Sequence, residues 1–254
     1  MSEPASLKKA ARTLASDHPV RIGNFRSSVA QFLGALILML IASPFLDELK
    51  YGPEIDVALA TLVLVLGMLA VSHSRKTFGL GVALLIPAVV VRWLDHFQPH
   101  LLLLPVQNVT ALLFMVFVEW QLLHFIFRTR HVNSEVLCAG ISGYLLLGVL
   151  WMSAYMLVSR LNPVDLALVP PQLGAFAFNI APAAAHPLSQ FDAYYFSFIT
   201  LSTVGYGDIT PLSRGARTLA MLEAMTGTLY MALLISRLVA LYSSQGSELV
   251  ERKD

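Results

Sequence analysis

Apolar residues in this chain fall in long uninterrupted blocks rather than in alternating or two-faced patterns. Six blocks, near 28–46, 55–72, 77–94, 103–128, 135–159 and 215–242, each read as a helix able to cross a bilayer, which takes about 20 apolar residues with allowance for tilt. A seventh run at 189–202 is too short to span and predicts a re-entrant helix. Such an element, followed by non-helical backbone, is tolerated at membrane depth only when buried in protein or lining a water-filled cavity. Ser189-Gln190-Phe191-Asp192 resembles a capping box and marks where the short helix starts. Between the fifth block and the short helix, residues 161–188 hold Pro163, Pro170, Pro171, Pro182 and Pro187, which argues against a continuous helix.

Composition sharpens this picture. Of 254 residues, 56% are hydrophobic and 13% charged, about half the charge of a soluble domain. The expected class is an all-α membrane protein with six transmembrane helices and a re-entrant helix. The net charge of +1 gives no electrostatic case for a nucleic-acid partner. Cys138 stands alone, so no intrachain disulfide forms. The first block is longer than a signal-peptide core and lacks a small-residue cleavage site directly after it, so it reads as a retained helix. Basic residues lie on one side: Lys8, Lys9, Arg12, Arg21 and Arg26, then Arg75 and Lys76, Arg128 and Arg130, Arg252 and Lys253. Acidic Asp47, Glu48, Glu54, Asp56 and Asp95 lie on the other. The positive-inside rule then puts both termini in the cytoplasm of a multi-pass protein of the cell membrane.

The candidate chemistry is concentrated in Thr203-Val204-Gly205-Tyr206-Gly207-Asp208. A dehydrated potassium ion needs several oxygens in place of its water, and an extended segment whose carbonyls all point into a narrow tube provides them. Gly205 and Gly207 permit torsions that a side chain would hinder, and Thr203 adds a hydroxyl oxygen at the inner end. The segment resembles the filter signature of potassium channels, and Tyr194 to Asp208 as a whole is similar to their pore helix and filter. That resemblance is specific over about 189–242 and only architectural over 28–160. It implies an extended selectivity filter with potassium held at Thr203, Val204, Gly205 and Tyr206, and conduction by a homotetramer. Potassium is then a permeant ion and not a cofactor. It also implies a filter toward the outside, in agreement with the orientation read from charge. On that pattern the chain divides into a cytoplasmic tail (1–27), a four-helix peripheral bundle (28–134), a pore domain (135–242) and a short cytoplasmic tail (243–254) with no ligand-binding domain.

Several residues near the filter keep two readings. Asp208 is either part of an acidic ring at the outer mouth or a carboxylate bonded to the pore helix. The aromatic residues of 194–198 form a cuff around the filter. Gly227 falls where resembling channels place an inner-helix hinge, and a small residue for close helix contact is the alternative. Gly227, Met231, Ile235 and Val239 recur every four residues on one face. They line the cavity, with Ile235 and Val239 as an apolar gate, or form a packing stripe. Glu223, an ionisable group inside a spanning helix, either hydrogen-bonds Ser197, Thr200 or Ser202, or acts as a proton sensor. Arg237 lies off the cavity face and snorkels to the cytoplasmic surface. The 161–188 segment is a packed loop over the pore rim or a surface for an external partner.

Six spans resemble the voltage-gated plan, but the fourth lacks a basic residue at every third position, so voltage sensing by that helix is not expected. Glu119 in that span either pairs with Arg92 or is a neutral carboxylic acid. No P-loop, nucleophile constellation or zinc spacing occurs, so no enzyme is expected. Two other functions compete: a non-conducting subunit that regulates another channel, and a haem-binding bundle using His73, His124 and His131, with His96 and His100 set apart by Pro99; a separate regulatory protein stays open as a partner.

Overall fold

The computed structural model describes residues 22–46, 49–72, 75–97, 103–129, 133–161, 178–180, 189–211 and 214–251. Long helices follow the apolar blocks: α1 (Ile22–Leu46), α2 (Gly52–Val71), α3 (Arg75–Phe97), α4 (Leu103–Arg128) and α5 (Ser134–Leu161). The strand β1 (Phe178–Ile180), the short helix α6 (Gln190–Leu201), the strand β2 (Ile209–Pro211) and the helix α7 (Arg214–Glu251) complete the described chain. Six of these helices are long and apolar enough to cross a membrane. The chain is therefore an all-α, multi-pass membrane protein. Of the expected features, the sequence region 162–177, His73, His100, Arg130 and His131 lie outside the described residues.

Consecutive helices pack as neighbours: α1 on α2, α2 on α3, α3 on α4. Both α1 and α4 also pack on α5, so the first four helices wrap one side of it. A single buried core joins Phe32, Val63, Phe114, Leu122, Val136 and Leu146 from α1, α2, α4 and α5, and reaches the pore-helix residues Ala193 and Tyr194. Helices α6 and α7 also pack on α5. A second cluster there contains Tyr155, Phe196, Ile209 and Ala216, and a third Leu147, Leu201 and Tyr230.

Three local features differ from the sequence expectation. The last helix does not stop near 242 but continues to Glu251. Ser243, Ser244 and Gln245 end the apolar block without breaking the backbone hydrogen-bond ladder, so hydropathy and helix length part company. A two-stranded antiparallel sheet, Phe178 opposite Pro211 and Ile180 opposite Ile209, ties the segment before α6 to the one just after the filter. And Arg92 does not meet Glu119. Its guanidinium pairs with Asp56 of α2 at 2.7 Å; the α4 residues that share a cavity with it are Gln107 and Asn108, about three turns before Glu119.

Candidate functional site: the pore helix and the segment that follows it

The short helix α6 starts at a reciprocal cap. Ser189 accepts from the Asp192 backbone N–H at 3.0 Å, and the Asp192 carboxylate accepts from the Ser189 backbone N–H at 3.3 Å. Its aromatic side chains turn mostly toward α5 and not around the filter. Phe196 meets the Tyr155 ring edge-to-face at 5.1 Å. Phe198 lies so close over Gly148 that a Cβ there would sit 2.6 Å from the ring. Tyr195 is the exception: its hydroxyl donates to Asp208 at 2.7 Å, across the segment that follows α6.

Beyond α6 the chain reverses. The backbone N–H groups of Thr203, Val204 and Gly205 donate back to Thr200 O (3.0 Å), Ile199 O (2.9 Å) and Ile199 O (3.1 Å). These bonds satisfy carbonyls left open at the helix C-terminus. Positive φ occurs at Thr203 (+59°), Gly205 (+52°) and Gly207 (+82°), and at no other described residue. The backbone therefore changes hand at every residue from 203 to 207 instead of forming a plain extended strand. Glycine adopts these torsions freely. For Thr203 the left-handed region costs about 1–2 kcal/mol, and its N–H bond to the helix end holds it there. Residues 202–208 are all exposed in the single chain, with Val204 at 52% and Tyr206 at 73%.

Asp208 closes this segment. The bond from Tyr195 holds its carboxylate below the ordinary value, and the same bond pushes the Tyr195 hydroxyl up to about 12. The shared proton donor explains both shifts: it stabilises the charged carboxylate and is itself harder to remove.

Behind the filter lies Glu223 of α7, fully buried. Its Oε2 accepts from the Tyr155 hydroxyl of α5 at 2.5 Å, and Ser197 of α6 bonds its Oε1 at 2.6 Å. Ser197 also lies 2.8 Å from Gly148 O. One carboxyl thus ties α5, α6 and α7 together. Of the three hydroxyls expected near it, only Ser197 is bonded to it; Ser202 turns to Phe198 O at 2.6 Å. Tyr155 escaped sequence reasoning, because a tyrosine in an apolar helix reads as core. Its spacing offers no signal, since the partner is 68 residues away.

Further along α7, Gly227 is buried against the end of α6, and a Cβ there would lie 2.2 Å from Leu201 O. Met231, Ile235 and Val239 are exposed in the single chain, at 39%, 54% and 63%. Gly227 does not share their environment: a four-residue step advances the helix by about 40°, so a four-residue series drifts off one face. Arg237 donates to Phe127 O at 2.9 Å and Thr129 O at 2.8 Å, at the C-terminal end of α4, instead of only reaching for solvent. Among the described residues no group of three or more His, Cys, Asp and Glu is placed to hold a metal ion.

Comparison with known proteins points to the same part of the chain. A family profile described as Ion channel matches residues 172–244. The chain is 39% identical to two-pore potassium channel 4 of Arabidopsis thaliana over 62 residues, 24% of this chain and 22% of the relative. It is 36% identical to the inward rectifier potassium channel Kirbac3.1 of Paramagnetospirillum magnetotacticum over 98 residues, 39% of this chain and 32% of the relative. It is 41% identical to Protein LctB of Geobacillus stearothermophilus over 69 residues, 26% of this chain and 51% of the relative. The matches thus span about half or less of each relative's length. Over part of its length the chain is thus similar to potassium channels.

Proposed function

We propose that the chain is one subunit of a potassium-selective channel in which four copies surround a common axis. The observation that carries this is the backbone of Thr203 to Gly207. The N–H groups of 203–205 are turned back to α6 and the hand alternates residue by residue, which supports a row of successive carbonyls facing one side. Four such rows around an axis replace the hydration shell of a permeating potassium ion. Exposure of the whole segment in one chain supports the need for further copies, since an ion-binding row open to lipid or water on every side selects nothing.

Glu223, with Ser197 and Tyr155, sets the distance between filter and inner helix. Asp208, bonded to Tyr195, fixes the outer mouth. Met231, Ile235 and Val239 on α7 line the inner cavity, and Gly227 lets that helix approach the base of the pore helix. The division into a peripheral bundle (28–134) and a pore domain (135–242), with both termini cytoplasmic and the filter facing out, goes with this reading. Passive conduction then follows from geometry alone, with no bond made or broken.

The test is flux of potassium and of sodium from liposomes holding only this purified chain, alongside Gly205→Ala and Gly207→Ala. Both glycines have positive φ, so a methyl group strains the filter. The wild type is expected to pass potassium in preference to sodium, and both variants to lose that preference or conduction. An unchanged preference in both variants removes the filter assignment.

A further inference from the structure

A chain of side-chain bonds joins the first four helices to the start of α6. Arg92 of α3 donates to Asp56 Oδ2 of α2 at 2.7 Å, and the Gln190 side-chain amide donates to Asp56 Oδ1 at 2.9 Å. The Asp56 side chain is only 17% exposed, and both its oxygens are engaged. Hydrogen bonds to a charged group are stronger than neutral ones. Gln190 is the first residue of α6, directly after the Ser189 cap.

Apolar packing does not close this junction. A cavity of about 360 Å³ lies where α2, α3 and the first turn of α6 approach one another, with Pro53, Asp56, Arg92, Gln190 and Phe191 in its lining. A void gives its walls no dispersion contacts on one side. The bond from Gln190 therefore does there what packing does one turn later, where Ala193 and Tyr194 are buried in the core shared with α1, α2, α4 and α5. At its far end α6 carries the proposed filter, because Ile199 O and Thr200 O accept from the N–H groups of 203–205. The helix is a strut of 12 residues, about 18 Å long. It is held by α2 at one end and holds residues 203–205 at the other.

We infer that Asp56 is a positioning residue for the proposed filter. It lies outside the segment that meets the ion. From α2 it fixes the start of α6, and through that helix it fixes the carbonyl row at 203–207. Arg92 holds Oδ2 and leaves Oδ1 turned to Gln190. The first four helices then have a task in selectivity and not only in support. This inference rests on the pore reading.

The ratio of potassium to sodium permeability tests it, read from reversal potentials in planar bilayers holding the purified full chain. Gln190→Ala removes the donor and leaves the Arg92–Asp56 pair whole; its ratio is expected to fall at least threefold. Gln190→Lys restores a donor to Asp56 and is expected to stay within twofold of the wild type. Asp56→Ala is expected to lower the ratio as Gln190→Ala does. The double variant is expected to fall no further than the lower single one, since both changes break one link. Should Asp56→Ala not fold, the two Gln190 variants decide by themselves. Heat denaturation in detergent is measured on each variant. A merely structural contact lowers the midpoint and leaves the ratio of the folded channel unchanged, which overturns the inference. Equal losses in Gln190→Ala and Gln190→Lys overturn it too, as do losses that multiply in the double variant. A wild type that does not discriminate potassium from sodium overturns the pore reading and this inference with it. A selective wild type with an equally selective Gln190→Ala overturns this inference alone.

Discussion

Two glutamates are buried in spanning helices that pack on α5, Glu223 in α7 and Glu119 in α4, and they are held in opposite ways. On the pore side, Glu223 has both oxygens bonded, to Tyr155 and to Ser197, so three helices meet at one carboxyl. On the bundle side, Glu119 has neither oxygen bonded within the described residues. It lies near Gly143 of α5, where a Cβ would be 3.1 Å from Glu119 Oε1 and 2.3 Å from the Tyr230 hydroxyl of α7. That hydroxyl is already committed to Gly140 O at 2.8 Å. The difference teaches where order is required. The proposed filter, to tell ions apart, needs its supporting helices fixed, and a buried polar network with every partner in place fixes them. The bundle coheres through apolar packing and carries an unmet polar group instead, at a cost to stability.

Replacing each glutamate by leucine is the most forceful way to break this comparison. Glu223→Leu leaves the buried Tyr155 hydroxyl without its partner and is expected to cost about 2–4 kcal/mol. Glu119→Leu removes a group with no partner to orphan, and is expected to stabilise by about 1–2 kcal/mol. Heat denaturation of both variants in the same detergent decides between the two signs. Equal losses would mean that the glutamates are held alike.

The next effect is at Gly227. Alanine there brings a methyl group against Leu201 O at 2.2 Å, and overpacking of this kind costs about 1–3 kcal/mol. A loss of thermal stability in Gly227→Ala marks a packing role. Unchanged stability with altered opening in single-channel recordings marks a hinge.

The smallest effect is at the outer mouth, where Asp208 and Tyr195 meet at the surface. The folded carboxylate titrates below its ordinary value. The support it gives to the mouth is therefore complete above the unfolded value of about 3.9 and is lost as pH falls through the lower, folded value. Tyr195→Phe removes the hydroxyl chiefly responsible. Flux of the wild type is expected to decline only in strong acid, and flux of the variant at a higher pH. Coincident acid profiles would show that the bond supports nothing.

How much of this was legible in the sequence follows from the physics of each element. The six spans are written in hydropathy, because lipid admits no other backbone arrangement for a single run of chain. The short helix announced itself through Ser189 and Asp192, since a cap is a contact across three residues. The unusual torsions after α6 were legible in part, because Gly205 and Gly207 are the residues that adopt positive φ freely. The positive φ of Thr203 was not, since nothing local requires it of a threonine. Contacts between distant segments stayed hidden: Arg92 with Asp56, Gln190 with Asp56, and Tyr155 with Glu223 lie 36, 134 and 68 residues apart. Each depends on which helices become neighbours, a matter of packing that periodicity does not encode. The tail of α7 was missed for a different reason, because polar residues can extend a helix that hydropathy has already ended.

The central claim is that backbone oxygens of residues 203–206 from several copies face one axis and hold potassium there. Diffraction from crystals of the assembled protein grown in rubidium, which scatters anomalously and substitutes for potassium, tests it most directly. The account predicts anomalous peaks on the four-fold axis between successive rings of those carbonyl oxygens. An axis without peaks, or carbonyls at 203–206 turned away from it, would contradict the account.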